Sequence, residues 1–246
     1  MRSFEEINNY FKSLEIKCYW STESLSLEQL NTIVNTFEYL RIKYPKIVID
    51  EIGDYYSIDK FHNKNAIEMS FNTLNAIMSG REEYFNNRLT EKQKAIDNLL
   101  VAIKKYENIK IDVNDEKYIS AEFVATYQAN ERQIRINHKY TDNLVQNIYH
   151  EFGHAIGYQY RVNDDDIINE LFTEIDKEEI KKYISEYALT NVKEFIAETF
   201  SKYETGYVNY IIKIVMAVIK EKIESIDPKS ETDWFIDDFK SYKTPN

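Results

Sequence analysis

The sequence predicts an α+β fold that is mostly helical, with a small mixed sheet beside long helices. Three observations lead there. Only 5 Gly and 3 Pro occur in 246 residues, too few for an all-β chain that needs a turn roughly every 8–12 residues. Apolar residues recur at three and four through most of the chain, the period of a helix with one buried face. Short β-branched runs are concentrated towards the middle, where they can build a sheet.

Residues 27–43, LEQLNTIVNTFEYLRIK, keep helical spacing and stop at Tyr44-Pro45, where the ring disfavours a helical residue before it. The run KIVIDEI at 46–52 is short and β-branched, which predicts a strand. Residues 64–108 read mostly as helices: AIEMSFNTLNAIM and EKQKAIDNLLVAIKKY both hold the 3.6-residue period, and the Gly80 region separates them. After Asn108 the period changes. ISAEFVATY (119–127) and QIRIN (133–137) predict strands joined by the turn QANER. From Asp142 the pattern is helical again, and mostly so to the end. With no repeat or low-complexity linker, one domain over 1–246 is expected, with 1–108 as a mainly helical N-terminal part and 109–246 as the core that carries chemistry.

Composition narrows the function. A chain with 43% hydrophobic and 30% charged residues is globular, and it is long enough to bury a sizeable core. The net charge of −11 argues against nucleic acid or an anionic membrane as partner. The lone Cys18 excludes an intrachain disulfide framework. MRSFEEINNYFKSLEIK lacks the apolar core of a signal peptide. The most apolar run, Val208 to Ile219, contains Lys213 and is too short for membrane insertion. The expectation is a soluble chain, cytoplasmic or secreted without a recognisable signal peptide.

Of four histidines, two fall in His150-Glu151-Phe152-Gly153-His154. A helix from Asp142 to Tyr158 would bury Leu144, Ile148, Phe152, Ala155 and Ile156, with Asp142 as N-cap and Gly157 as stop. His150 and His154, one turn apart, share a face, so both imidazoles can reach one ion at about 2.0–2.1 Å. Glu151 is turned roughly 100° away, towards the open side of the ion, where it can take a proton from water. Gly153 strips bulk from this face and lets another backbone or a ligand approach. The plain alternative is two ordinary histidines on an amphipathic helix. The scarcity of histidine and the helical flanks favour the metal.

A third ligand lies downstream. Asn191 would cap a helix that buries Val192, Phe195, Ile196, Thr199, Phe200 and Tyr203, leaving Glu194 and Glu198 together on the adjoining face. Asn191-x-x-Glu194 also fits a capping box. Capping does not explain Glu198, because like charges at i,i+4 repel unless a cation lies beside them. Glu194 then ligates, and Glu198 accepts the free ring N–H of a ligating histidine.

HEFGHAIG followed by SEYALTNVKEFIAETF resembles the catalytic domain of anthrax lethal factor and its relatives, the Pro-Pro endopeptidases among them. In that family H-E-x-x-H is followed by a Tyr and, seven residues later, by a Glu within E-x-x-A-E. Tyr187 and Glu194 keep that spacing, and Glu198 stands at the second acid. The resemblance runs from about residue 133 to 203. It implies a zincin-like metallopeptidase of the gluzincin type, with one Zn2+ per chain on His150, His154 and Glu194. It further implies Glu151 as general base, Tyr187 as the hydroxyl that steadies the oxyanion, and a protein or peptide substrate paired along a sheet edge near the metal. QIRIN, just before the histidine helix, is a candidate for that edge or an ordinary internal strand. Among 20 tyrosines, Tyr187 can also be a packed aromatic. His62 and His138 have no partners at ligand spacing. The function expected is zinc-dependent endopeptidase. The alternatives are an intracellular repressor-cleaving regulatory protease and a non-catalytic zinc-containing binding module in a phage or toxin assembly.

Overall fold

The computed structural model describes residues 1–78, 89–107, 124–137, 139 and 142–229. Nine α-helices and four strands occur among them, so the chain is mostly helical with one small mixed sheet. By packing it divides into two compact units, one formed by Met1–Asp54 with Glu122–Asn246 and the other by Tyr55–Ala121.

In the first unit, α1 (Phe4–Ser13) and α2 (Leu27–Lys43) both start with a reciprocal cap. Ser26 Oγ accepts from the Gln29 N–H at 3.2 Å, and Gln29 Oε1 accepts from the Ser26 N–H at 2.7 Å. The α2 span is the one expected, and it buries Leu30, Ile33, Val34, Phe37 and Leu40 on one face. Strands β1 (Lys17–Tyr19), β2 (Glu51–Asp54), β3 (Ala125–Gln128) and β4 (Gln133–Ile136) form a sheet in the order β1-β2-β4-β3. β1 and β4 run parallel to β2, and β3 runs antiparallel to β4. Through β1 and β2 the first 54 residues are part of the same body as the histidines.

The strand expected at 46–52 is displaced to 51–54. Register explains why: Glu51 pairs with Gln133 and Asp54 with Ile136, which uses β4 completely. Upstream, Val48 finds a side-chain partner for both of its backbone groups instead. Gln159 Oε1 accepts from the Val48 N–H at 3.0 Å, and Gln159 Nε2 donates to the Val48 carbonyl at 2.6 Å. Ile47 and Ile49 are buried without ladder bonds of a strand. β1, at three residues, is too short to show a period. β4 agrees with expectation. Of the strand expected at 119–127, residues 119–123 lie outside those described, and the observed strand extends one residue past it.

The helices of this unit continue with α5 (Leu144–Gln159), α6 (Asp166–Glu174), α7 (Lys177–Tyr183), α8 (Val192–Glu204) and α9 (Tyr210–Ser225), with 3-10 turns at Val162–Asp164 and Tyr187–Leu189. An aromatic file ties them to α2: Phe37 meets Phe152 edge-on at 5.5 Å, and Tyr44 meets Phe200 at 5.3 Å. Two expectations for α5 need correction. Asp142 is not its cap; the helix starts at Leu144, and Asn143 before it makes no side-chain capping bond. Gly157 is not its stop. The helix runs on to Gln159, and the chain turns back at Arg161, whose φ is 53°. Gly157 instead leaves room for the Asn163 side chain, which would collide with any Cβ.

In the second unit α3 (Tyr55–Met78) packs on α4 (Leu89–Glu107), and Asn63 Nδ2 donates to the Tyr106 carbonyl at 3.4 Å. The helical reading of 64–108 holds for its described part, whereas the Gly80 region lies outside the described residues. No helix among the described residues is long and apolar enough to cross a membrane.

Candidate metal centre

The site is built where α5 crosses α8. A Cβ on Gly153 would lie 2.7 Å from Ala197 Cα and 3.1 Å from its carbonyl oxygen, so the two backbones touch. Gly153 lies between His150 and His154, and Ala197 between Glu194 and Glu198. Closest approach therefore falls where four polar side chains must meet. Below it, Ser201 Oγ donates to the Gln146 carbonyl at 3.1 Å, and Phe152, Phe195, Ile196 and Phe200 are fully buried. The bulk that Gly153 omits is bulk that the Ala197 backbone occupies. Gly153→Ala should push α8 outward, costing about 1–3 kcal/mol as overpacking does and lowering metal affinity at least tenfold. Thermal melts and chelator competition measure both, and wild-type values in each would show that the crossing has slack.

Across this contact His150 Nε2, His154 Nε2 and one oxygen of Glu194 converge. The separations are 3.1 Å between the two nitrogens, and 3.1 and 3.3 Å from Glu194 Oε2 to His150 and His154. Ligands held tetrahedrally at about 2.0–2.1 Å from one ion lie roughly 3.3–3.4 Å apart. Glu198 Oε1 accepts from His150 Nδ1 at 2.8 Å, which leaves Nε2 as a lone pair pointing at the other two. Glu194 Oε2 is buried and has no hydrogen-bond partner despite those short distances. Facing lone pairs repel unless a proton or a cation lies among them. The donor set fits a cation, and these three residues are the group able to hold one among the described residues.

Electrostatics agree. Burial opposes charge on His150, yet the Glu194 and Glu198 carboxylates outweigh it and push the imidazole up to about 10 when no cation is there. Burial likewise works against the Glu194 carboxylate, but the two histidines bring it down to about 2. Glu151 behaves differently. Its burial raises the carboxyl above the ordinary range, against the pull of both imidazoles and the Tyr127 amide. Only 4% of Glu151 is exposed, and its Oε2 has no partner. A buried carboxylate with a free oxygen is costly unless something else uses it.

Asn191 caps α8 as expected, accepting from the Lys193 and Glu194 N–H groups at 2.9 and 3.1 Å. The Glu194 carboxylate, however, is turned to the imidazoles. Tyr187 sits on the second 3-10 turn, 56% exposed, with its ring 6.0 Å from that of His150. Its hydroxyl is raised by burial and then by the charges of Glu194, Glu151 and Glu198. The turn is braced by Ser185, whose Oγ accepts from the Ala188 N–H at 3.0 Å and helps hold Glu198 ionised. The site thus brings together all six residues singled out in the sequence. His62 lies on α3 in the other unit, and His138 lies outside the described residues.

Two cavities, of about 340 and 310 Å³, flank the histidines, and β3 borders both. β4 is internal, between β2 and β3, so QIRIN is not the sheet's edge; β3 is. Sequence reasoning missed this edge, because strand order depends on contacts far apart in the chain. It also missed Gln159, which clamps the end of α5 to Val48 and accepts no pattern-based signal. Comparison with protein-family models, with curated proteins and with solved structures finds no match to this chain.

Proposed function

We propose that this chain is a zinc-dependent endopeptidase, with a zincin-like core of the gluzincin type and the kinship to lethal factor and the Pro-Pro endopeptidases that its motifs suggest. The observation that carries the reading is the buried, unpartnered Glu151 oxygen beside three convergent ligand atoms. A site that served structure alone would need no such carboxylate. Two imidazoles and one carboxylate at tetrahedral spacing suit zinc with a position left open for reactants. When bound, zinc would supply Lewis acidity towards a peptide carbonyl and make water easier to deprotonate.

The chain's own groups supply the rest. Glu151, raised above the ordinary carboxylate range by burial, takes the proton of the attacking water and returns it to the leaving amine. The Tyr187 hydroxyl donates to the oxygen that gains charge. β3 offers the substrate a backbone template. In this antiparallel pair the Val124 carbonyl accepts from the Asn137 N–H at 2.9 Å, so even-numbered residues face β4. Ala125 therefore turns its backbone groups away from β4, towards the cavities, and Tyr127 turns its carbonyl there, its N–H being taken by the Glu151 carboxylate. An extended peptide laid there would gain backbone hydrogen bonds and bring a carbonyl to the histidines.

The test is a degenerate-peptide digest read by mass spectrometry, on protein purified without added metal and assayed for zinc. One zinc per chain and cleavage that a chelator stops and zinc restores are expected. Zinc at full stoichiometry with no peptide cut would favour the binding module.

A further inference from the structure

The cavity of about 310 Å³, the one that His154 borders, is lined by the end of β3 and, from the helices, by Tyr158 and Lys193. Among the described residues that line either cavity, Lys193 is the only cation apart from the histidines, in a chain of net charge −11. Tyr158 lies one turn beyond His154 on α5, and Lys193 lies in the first turn of α8, just before Glu194. Lys193 Nζ donates to the Tyr158 hydroxyl at 3.0 Å and sits 5.0 Å from the centre of its ring, in an exposed contact that joins the two helices. Helix stability does not account for a lysine there, because a helix N-terminus disfavours a cation. Neither metal binding nor proton transfer uses this pair. An ammonium carries three donors, and a hydroxyl that accepts one of them keeps its own O–H to give. Two donors 3.0 Å apart match the two oxygens of one carboxylate.

Resting on the endopeptidase reading, we infer that Lys193 and Tyr158 form a subsite for a carboxylate of the substrate, from an Asp or Glu side chain or from the C-terminus of the peptide. A peptide laid along β3 passes from the cavity beside Val124 to the one beside Gln128, so the carboxylate falls on one side of the cut bond only. A basic side chain there would meet the ammonium. A neutral amide would accept the same hydrogen bonds without the attraction between charges, which makes the carboxylate the stronger acceptor.

The full chain with zinc is first given the degenerate library to find a cleaved sequence. Peptides of that sequence, blocked at both ends, then carry Glu, Gln or Lys at each position in turn around the cut bond. At one position the wild type should show kcat/KM about five- to tenfold higher for Glu than for Gln, a scale between an exposed ion pair and a buried charged hydrogen bond. Lys should be slower still, and the gap should shrink as salt rises. A gain seen only with an unblocked C-terminus, at one fixed distance from the cut, supports the same subsite and makes the peptide's own end the source. Lys193→Glu, checked for unchanged zinc content, should reverse the order, so that the Lys peptide outruns the Glu one. Tyr158→Phe keeps the ring and should narrow the wild-type gap. A wild type indifferent to all three side chains and to the end group, or a Lys193→Glu enzyme that keeps the wild-type order, overturns the subsite while leaving the protease. A zinc-loaded wild type that cuts no peptide overturns the endopeptidase reading and this inference with it.

Discussion

Glu151→Gln should abolish peptide cleavage while zinc stays at one per chain. The geometry separates the two properties, since Glu151 is not among the three residues whose ligand atoms converge, although it borders the same cavity. Loss of a general base removes about 10²–10⁴-fold, and because the same group must also return the proton, the upper end is expected. Stability should move the other way. A buried carboxylate whose own burial works against its charge is exchanged for a neutral amide of the same shape, so the melting temperature should hold or rise. Tyr187→Phe gives the milder counterpart: turnover about 10²–10³-fold slower if its hydroxyl acts as an oxyanion donor, with no change in stability because the side chain is half exposed. Steady-state kinetics, metal analysis and thermal melts on the two variants read all of this. Wild-type turnover in Glu151→Gln would remove the catalytic assignment, and a large drop in melting temperature would make Glu151 a structural group.

Much of this centre was legible because its chemistry is local. His150, Glu151 and His154 lie within one turn and a half of helix, and Glu194 and Glu198 within one turn of another, so helical geometry alone places each set on a face. The helical spacing of 27–43 and the Tyr44-Pro45 stop likewise act over a few residues, and α2 came out at its expected bounds. What could not be read depends on distant partners. β2 starts where β4 offers register, not where the β-branched run begins. Val48, in the displaced stretch, is held by Gln159, more than a hundred positions away. Gly157 looks like a helix stop until Asn163 is seen to occupy the space beside it. The identity of the edge strand follows from four segments at once.

Glu194→Gln and Glu198→Gln should part company, though both remove one acid from the same face of α8. Glu194 Oε2 is one of the three convergent atoms, 3.1 and 3.3 Å from the imidazole nitrogens. Replacing it by an amide puts a weak neutral donor where an anion stood, and zinc affinity should fall well beyond the range typical of a supporting group. Glu198 accepts from His150 Nδ1 at 2.8 Å, with Ser185 as its other side-chain partner, and fixes the tautomer whose lone pair faces the ligand cluster. A glutamine there still offers an acceptor oxygen to that N–H, so the tautomer survives and the loss should stay within about 10–100-fold. If the two acids served only the helix N-terminus, both variants would bind zinc as the wild type does, and each would lose a fraction of a kcal/mol from the start of α8. The Asn191 cap makes that alternative concrete, because it already satisfies the first N–H groups whichever way the carboxylates point. Competitive titration of each variant against a chelator of known affinity separates the outcomes. A steep loss in Glu194→Gln with a modest one in Glu198→Gln fits the assigned roles, whereas wild-type affinity in both would place the third ligand elsewhere.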